Sequence, residues 1–309
     1  MGRFVFRRLL SIIPTILIII TLGFIIIRAA PGGPFSSEKA VPPGVLANLM
    51  ARYHMDEPLI KQYFRFMGGV LRGDLGPSFV NKDFTVNELV SLSLPNSVTL
   101  GLTALVIATF LGITLGTISA LRQNSIADYA SMSLAVTGIS VPNFVVGPVL
   151  MLVFAVTFKL LPTSGWIDGR QGLKALVLPA ITLSLVTFAY IARLTRASML
   201  ETLRSDYIRT ARAKGLSMRV IIFKHALKGA LLPVVSYMGP ACAGLVTHSV
   251  VVEQIFAIPG IGRLFILASI NRDYTMIMGV VIVYSLILIA LNFVVDIIYG
   301  FLDPRITYK

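Results

Sequence analysis

Six long apolar runs, separated by short polar segments, dominate the hydropathy pattern of this chain. Each run is long enough to cross a hydrocarbon layer of roughly 30 Å as an α-helix. The first run is also too long for the core of a signal peptide, which has about 7–15 residues. The pattern predicts an all-α integral membrane protein with six transmembrane helices over Leu9–Ala29, Ser97–Leu121, Ala130–Phe158, Ala175–Ala192, Gly229–Val252 and Met276–Phe301.

The longest polar stretch, residues 30–94, follows the first run and is broken by the prolines and glycines of Pro31–Pro34. Apolar side chains at helical spacing predict an amphipathic helix over Pro58–Leu71, whose apolar stripe packs on the membrane domain. Thr85 and Glu88 have the spacing of a capping box that opens a short helix. We expect this stretch to form a small periplasmic subdomain. Its predicted apolar stripe consists of Leu59, Tyr63, Phe66 and Val70.

Residue types inside and beside the runs add detail to this pattern. The second run combines several threonines with Gly112 and Gly116, which favours a helix–helix interface over pore lining. Pro142 and Pro148 interrupt the third run. Trp166, in the loop that follows, is predicted to lie at the membrane surface, where tryptophan is enriched.

The distribution of charge predicts the orientation of the chain. The protein is 56% hydrophobic and 13% charged, with a net charge of +13, whereas soluble domains are about 25% charged. Fifteen of the 27 Lys and Arg residues, but only five of the 14 acidic residues, lie on the side that holds both termini. Because short cytoplasmic loops are enriched in Lys and Arg, both termini are predicted to be cytoplasmic. The same pattern argues against nucleic acid as a partner.

Motifs of enzymes and of ion-coupled carriers are absent from the sequence. It contains no G-x-x-x-x-G-K-[ST] loop, no G-x-S-x-G and no H-E-x-x-H. The second to fifth runs have no charged residue in their interiors, although ion-coupled carriers need ionisable groups there. His248 and Asp296 are the candidates for such a role, with packed or interfacial positions as the alternative. The histidines and the single Cys242 show no metal-ligand spacing. We therefore expect a passive gate or pathway that is not an enzyme. A self-sufficient carrier or channel is the alternative from another class.

One polar segment, residues 206–233, lies between the fourth and fifth runs. Asp206 is predicted to cap a helix over Tyr207–Lys214, and Gly215 to end that helix in a left-handed turn. The small residues on one flank are Ala211, Ala213 and Gly215. This helix could sit in a cleft of a partner and act as a lever. The alternative is a solvated, positively charged loop.

The segment resembles the coupling loop of permease subunits of bacterial ATP-binding-cassette importers, whose pattern is Glu-Ala-Ala, three residues and Gly. Here Arg209-Thr210-Ala211 stands in place of Glu-Ala-Ala and is followed, three residues later, by Gly215. The glutamate is absent, and Lys228 replaces a common proline, as in the peptide-importer branch. Further stretches that match this branch are RRLL, IPT and RAAPGGPF near the N-terminus, VVEQIFAIPGIG at 251–262, NRDY at 271–274 and DPR at 303–305.

The resemblance implies the fold of a type I importer permease within a larger complex at the bacterial inner membrane. The implied partners are a homologous second permease chain, two cytoplasmic ATPase subunits that bind ATP and Mg, and a periplasmic peptide-binding protein. No cofactor is implied on this chain. The implied substrate is an oligopeptide, with a dipeptide, glutathione or nickel importer as the alternative.

The chain is predicted to divide into a first span (1–29), a periplasmic subdomain (30–94), a permease domain (95–302) with a coupling loop (193–228), and a cytoplasmic tail (303–309). The implied coupling helix comprises Asp206, Tyr207, Ile208, Arg209, Thr210, Ala211, Arg212, Ala213, Lys214 and Gly215. Polar candidates for the substrate pathway, for which packing roles stay open, are Asn143, Tyr190, Tyr237, His248 and Asn292.

Overall fold

The computed structural model describes residues 2–30, 43–81, 83–167 and 172–302. Within these ranges the chain is helical, and the β-structure consists of one isolated bridge between Pro77 and Thr85. The all-α prediction is therefore confirmed for the described part of the chain. The predicted break at Pro31–Pro34 and the predicted tail at 303–309 lie outside the described residues.

The helices are labelled in chain order. The first half contains α1 (Gly2–Ala29), α2 (Pro43–Arg52), α3 (Leu59–Leu71), α4 (Val86–Leu121), α5 (Ile126–Ser140) and α6 (Asn143–Leu150), which continues as a π-helix over Met151–Thr157. The second half contains α7 (Lys174–Leu203), α8 (Asp206–Ala213), α9 (Met218–Val220), α10 (Leu227–Ala230), α11 (Leu232–Thr247), α12 (Val250–Ile255), α13 (Ile261–Ile270) and α14 (Tyr274–Leu302). A π-helical turn over Ile221–Ala226 joins α9 to α10.

Five helical stretches of the described chain are long and apolar enough to cross a membrane: parts of α1 and α14, all of α4 and α7, and α11 with α12. The pair α5 and α6, with its π-helical extension, makes a sixth if it is counted as one span. This pair is bent by 111°. Val141, before Pro142, has φ −100° and ψ 120°, because proline disfavours the helical conformation in the residue that precedes it. The third apolar run is thus divided at Pro142 into two helical segments.

The start of α4 and the end of α7 differ from the sequence-based expectation. The capping box is present: the Thr85 amide donates to Glu88 Oε2 at 2.8 Å, and the Glu88 amide donates to Thr85 Oγ1 at 3.3 Å. It opens α4 itself and not a separate short helix, because α4 continues through Pro95, as membrane helices tolerate. At the other boundary, α7 continues past Ala192 to Leu203, so the first part of the predicted coupling loop is helical.

The chain divides into two compact units. One comprises Met1–Asn96 and Pro259–Ile289, and the other comprises Ser97–Ile258 and Ala290–Thr307. The first span and the predicted outer segment therefore belong to the same unit.

In the first unit, α3 packs on α1 and α14. Phe66 and Val70 of α3 pack against a buried cluster that includes Ile20 of α1 and Met276 of α14. The predicted packing of the α3 stripe is confirmed for these residues. Leu59, at the start of the same stripe, is 58% exposed and does not take part.

In the second unit, α7 is the central, largely buried helix. Gly112 and Gly116 of α4 and Gly138 of α5 lie against it. A Cβ atom added at Gly116 would be 2.5 Å from the carbonyl oxygen of Ala192, and one added at Gly138 would be 2.9 Å from that of Leu185. Small residues allow such close approach of helices in lipid. The helix–helix interface predicted for the second run is confirmed.

Trp166 is packed inside the second unit and is only 7% exposed. It contacts a buried cluster that includes Leu100, Leu178 and Phe256. Trp166 therefore packs against the protein, including the first half of α7, and its position at the membrane surface stays a prediction. Hydropathy along the chain cannot reveal this long-range packing.

Candidate coupling site and membrane pathway

The predicted coupling helix exists as α8, which begins one residue earlier than expected. Ser205 occupies the N-cap position, but its hydroxyl donates to the carbonyl of Thr202 at 2.6 Å and makes no capping bond to α8. Asp206, predicted as the cap, is the first helical residue, so that prediction is wrong by one position. Its Oδ1 lies 3.3 Å from Nη1 of Arg209. A carboxylate in the first turn also stabilises a helix by interacting with the positive end of the helix dipole.

The C-terminal end of α8 has the conformation expected from the sequence. Gly215 has φ +74°, in the left-handed region that glycine adopts without strain. The Gly215 amide donates to the carbonyl of Arg212 at 2.9 Å, and the Leu216 amide donates to that of Ala211 at 3.3 Å. These two bonds form a Schellman motif. The predicted left-handed end of the helix is confirmed.

Two residues of α8 face the protein itself. Ile208 is fully buried and Ala211 is 6% exposed, and both pack in a cluster with Met199 of α7 and Ile221. Since successive helical residues are about 100° apart, Ala211 and Ala213 point in nearly opposite directions. The predicted flank of small residues is therefore not one surface. The remaining members of the element are exposed: Asp206, Tyr207, Arg209, Thr210, Arg212, Ala213, Lys214 and Gly215.

The exposed surface of α8 continues without interruption from Arg212 to Val220. It combines three cationic side chains with apolar ones. Among the apolar ones, Met218 is 53% exposed. α8 is thus anchored by its inner face and leaves a basic, partly apolar outer face open.

A buried ion pair fixes the end of α7 that leads into α8. Asp128, at the start of α5, is 2% exposed and accepts hydrogen bonds from Nε and Nη2 of Arg196 at 2.8 and 2.7 Å. The Ser119 hydroxyl of α4 also donates to this carboxylate, and so does the Asn124 amide at 2.9 Å. Bidentate arginine–carboxylate pairs are strong and directional. The network therefore joins α4, α5 and α7 close to the base of α8.

Sequence reasoning missed this network and treated Asp128 only as a loop charge. A local signal was available in the spacing of Ser125 and Asp128, which is typical of a helix start. The Ser125 hydroxyl indeed accepts from the Asp128 amide at 3.4 Å. The pairing with Arg196, 68 positions away, had no local signal.

Two of the five pathway candidates come together in the structure. The rings of Tyr190 on α7 and Tyr237 on α11 have centroids 5.8 Å apart. The guanidinium of Arg193 lies 5.1 Å from the centroid of the Tyr190 ring, within the range of a cation–π contact. Tyr190 is 44% exposed on a helix that is otherwise mostly buried. The pair and Arg193 thus form an amphipathic patch on an open face of α7.

The other three candidates occupy separate positions. Asn143 is the first residue of α6, directly after the bend. His248 follows the last residue of α11, and its Nδ1 lies 2.8 Å from the carbonyl oxygen of Gly244. Asn292 lies on α14 and is half-buried. His248 is therefore engaged with the backbone. Among the described residues no group of three or more His, Cys, Asp or Glu could hold a metal ion.

The NRDY stretch contains a buried carboxylate that ties the first unit together. Asp273 is 1% exposed. Its Oδ2 accepts from the Ser78 hydroxyl and from the Phe79 amide at 3.1 Å, and its Oδ1 accepts from the Met276 amide at 3.1 Å. Asp273 thus caps α14 and holds the chain around Ser78. This is a structural role.

The VVEQ stretch contains a second buried carboxylate, in the second unit. Glu253 is fully buried, and its Oε1 accepts hydrogen bonds from the hydroxyls of Ser97 and Ser249. Ser97 lies on α4 and Glu253 on α12, so this carboxylate links two helices that are distant in sequence. Sequence reasoning quoted the stretch as a motif but did not predict this role.

Replacing Ala211 with leucine should destabilise the fold around α8, because the new side chain enters the cluster with Ile208 and Met199. We expect a loss of about 1–2 kcal/mol, within the range for overpacking a core. Thermal unfolding of the purified protein measures this effect. Ala213→Leu, on the exposed side, is the matched control and should leave the unfolding temperature unchanged. Equal unfolding temperatures for both variants would contradict the assignment of the buried face.

The arrangement defines a class of protein: a helical membrane protein in which an exposed helix, α8, packs by its inner face against a central, largely buried helix, α7. The fold is shared with chains of ABC transporters of known structure. A chain of an amino acid ABC transporter solved with histidines matches with a TM-score of 0.53 at 15% identity, over 69% of this chain and 93% of that one. A chain of the MetNI methionine ABC transporter, in inward-facing conformations, matches with a TM-score of 0.52 at 17% identity, over 68% and 96%.

The chain belongs to the family of binding-protein-dependent transport system inner membrane components, whose model matches residues 112–308. The N-terminal model of the same kind of component matches residues 1–101. The oligopeptide transport system permease protein OppB of Salmonella typhimurium is 50% identical over 308 residues, with both chains fully covered. OppB of Haemophilus influenzae is 47% identical over the same length. The dipeptide transport system permease protein DppB of Bacillus subtilis is 47% identical over 306 residues, covering 99% of this chain and 98% of that one.

Proposed function

We propose that this chain is one of the two membrane subunits of an ATP-driven importer that carries oligopeptides across the bacterial inner membrane. The observation that carries the proposal is α8, an exposed basic helix fixed to the central membrane helix α7 by a buried cluster and by the Asp128–Arg196 pair. The full-length identity of 47–50% to oligopeptide permeases supports the substrate class.

The proposed complex also contains a homologous second permease, two cytoplasmic ATPase subunits and a periplasmic peptide-binding protein. ATP and Mg would be bound by the ATPase subunits, since this sequence has no phosphate-binding loop. Both termini and α8 would lie in the cytoplasm, which agrees with the excess of Lys and Arg on those segments. Residues 30–94 would face the periplasm.

In the proposed mechanism, α8 transmits the movement of an ATPase subunit to α7. When ATP brings the ATPase subunits together, the open face of α8 is displaced with the subunit that holds it. Ile208 and Ala211 pass this displacement to Met199, because the cluster they form is buried and close-packed. The Asp128–Arg196 pair then moves α4 and α5 together with α7. The movement alternates access to the pathway from the two sides of the membrane.

The proposed pathway includes the five polar residues predicted from the sequence: Asn143, Tyr190, Tyr237, His248 and Asn292. The adjacent Tyr190 and Tyr237 are the best supported of these, since they form a half-exposed amphipathic surface beside Arg193. Aromatic surfaces with few fixed hydrogen-bond donors suit peptides of variable sequence. A dipeptide permease is the second candidate function, supported by the 47% identity to DppB.

Uptake by the reconstituted complex tests the proposed function. The chain is assembled in liposomes with the second permease, the ATPase subunits and the binding protein, and uptake of a labelled tetrapeptide, a dipeptide and Ni²⁺ is compared. We expect ATP-dependent uptake of the tetrapeptide. Uptake confined to the dipeptide would favour the second candidate, and uptake by this chain alone, driven by an ion gradient, would contradict both.

Ala213→Trp tests the role of α8 separately from the substrate. The bulky ring is placed on the open face of α8, so we expect the chain to insert and fold normally. Retention of the ATPase subunits on purification should fall by roughly tenfold or more, which is about 1.4 kcal/mol of docking free energy. Ala47→Trp, the same change at an exposed position on α2, is the control. Normal ATPase retention and normal uptake by the Ala213 variant would remove α8 from the coupling role.

A further inference from the structure

A cavity of about 380 Å³ lies within the first unit, a size typical of small-molecule sites. Its walls come from α1, α3, the chain between α2 and α3, the segment after α3, and the start of α14. None of these walls has a part in the coupling site or in the proposed pathway. The residues that line it include Phe24, Arg28, Arg52, Phe66, Tyr274 and Met278.

Two of the arginines in the cavity wall have no carboxylate partner among the described residues. The Arg28 guanidinium donates to Sδ of Met55 at 3.0 Å and lies 5.4 and 5.5 Å from the ring centroids of Phe24 and Tyr274. The Arg52 guanidinium lies 5.9 Å from the Tyr53 ring centroid. Aromatic contacts orient a guanidinium but leave most of its five N–H donors available.

The third arginine in the wall, Arg65, is paired with a carboxylate. Nη2 of Arg65 lies 2.8 Å from Oε1 of Glu57, and Lys61 Nζ lies 3.1 Å from the same oxygen. Burial would raise the pKa of the Glu57 carboxyl, but hydrogen bonds and ion pairs with Lys61 and Arg65 lower it overall. Asp74, the carboxylate in the cavity wall, accepts from the Gly76 amide at 2.8 Å. The lining of the cavity thus carries three arginines and one carboxylate, and among the described residues Arg28 and Arg52 are the lining arginines that no carboxylate engages.

The membrane spans place the cavity at the level of a membrane surface. Arg28 lies in the last turn of the first span, Leu10–Ala29, and Tyr274 is the first residue of the last span, Tyr274–Val295. Phe24 and Met278 lie one helical turn deeper in these spans. The cavity therefore has an apolar wall at hydrocarbon depth and cationic groups at the depth of lipid headgroups, where tyrosine is also enriched.

We propose that this cavity is a binding site for an anionic glycerophospholipid, with the phosphate between Arg28 and Arg52 and the start of an acyl chain against Phe24 and Met278. Arginine suits a phosphate because its planar donors can bond two oxygens at once. Inorganic phosphate would leave the aromatic and aliphatic walls without a partner. A bound peptide would not need the apolar wall of Phe24 and Met278, which lies one helical turn inside the first and last spans. The site is independent of the proposed transport function.

Retention of lipid by the purified complex tests this site. The complex is extracted from nanodiscs of phosphatidylglycerol and phosphatidylcholine, washed with detergent, and the retained lipid is counted by native mass spectrometry. We expect the wild type to retain phosphatidylglycerol preferentially. Arg28→Gln with Arg52→Gln should lower this retention by about tenfold or more, as expected for lost charge-assisted hydrogen bonds.

Two further variants make the outcome specific. Arg72→Gln removes an exposed arginine in the same unit that does not line the cavity, and it should retain lipid like the wild type. Arg28→Lys with Arg52→Lys keeps both charges and should retain an intermediate amount, while its unfolding temperature reports whether the fold is intact. Equal loss in the Arg72 variant, or displacement of the lipid by a short peptide or by inorganic phosphate alone, would overturn the proposal.

Discussion

Asp128→Ala should lower the free energy of unfolding by about 3–5 kcal/mol, the range for breaking a buried ion pair. The substitution leaves the Arg196 guanidinium, whose side chain is only 27% exposed, without its partner. It also removes the acceptor of the Ser119 hydroxyl and of the Asn124 amide. Thermal and chemical unfolding of the complex in detergent measures the effect. We also expect uptake to fall, because α4 and α5 are no longer held to α7 beside α8.

The controls for Asp128 use a double variant and a second ion pair. Asp128→Leu combined with Arg196→Met should recover most of the lost stability, since well-packed apolar residues can replace a buried pair. Asp206→Ala breaks the exposed pair with Arg209, whose side chains are 94% and 74% exposed. It should change stability little, because exposed pairs contribute about 0–1 kcal/mol. A large loss of stability for Asp206→Ala together with no loss for Asp128→Ala would contradict the conclusion that the Asp128–Arg196 pair is the stabilising one.

Gly116→Ala should destabilise the second unit by about 3 kcal/mol, at the upper end of the range for overpacking. The added Cβ would lie 2.5 Å from the carbonyl oxygen of Ala192 and 2.7 Å from Cβ of Thr195. The first of these contacts is with backbone, which cannot rotate away, so α4 and α7 must separate. The unfolding temperature of the purified chain and the crosslinking yield between cysteines introduced on α4 and α7 measure the change.

Gly68→Ala is the matched control, with the opposite expected sign. Gly68 lies inside α3, and a Cβ added there meets no atom within 4 Å. Alanine favours the helix over glycine by about 0.5–1 kcal/mol. We therefore expect a small gain in stability. If both variants were destabilised alike, glycine-specific packing between α4 and α7 would be refuted.

Features that depend on neighbouring residues were predictable from the sequence. The α3 helix, the capping box of Thr85 and Glu88, and the left-handed turn at Gly215 each depend on residues within about one or two helical turns. Side-chain chemistry at such short spacing determines the local backbone. The break before Pro142 was also predictable, because proline restricts the backbone of the residue that precedes it. The angle of the bend was not predictable.

Features that depend on distant residues were not predictable. The inner face of α8 is set by contacts of Ile208 and Ala211 with α7 and Ile221. The sequence-based grouping of Ala211 with Ala213 and Gly215 on one flank was therefore wrong. Trp166 is buried because its loop folds over α7. The carboxylate of Asp273 is separated from Ser78 by 195 positions. No local pattern can specify which distant group satisfies a buried charge.

The sequence by itself determined that this is a helical membrane protein, where its main apolar segments lie, and that a short helix ending at Gly215 interrupts them. Those properties follow from hydropathy and from backbone preferences of adjacent residues. Only the tertiary structure decided that α7 is the central helix and that the Asp128–Arg196 ion pair holds its C-terminal part to α5. It also decided that the side of α8 that carries Ala213 is exposed. These depend on packing and pairing between residues far apart in the chain, because burial selects which face of each helix is covered.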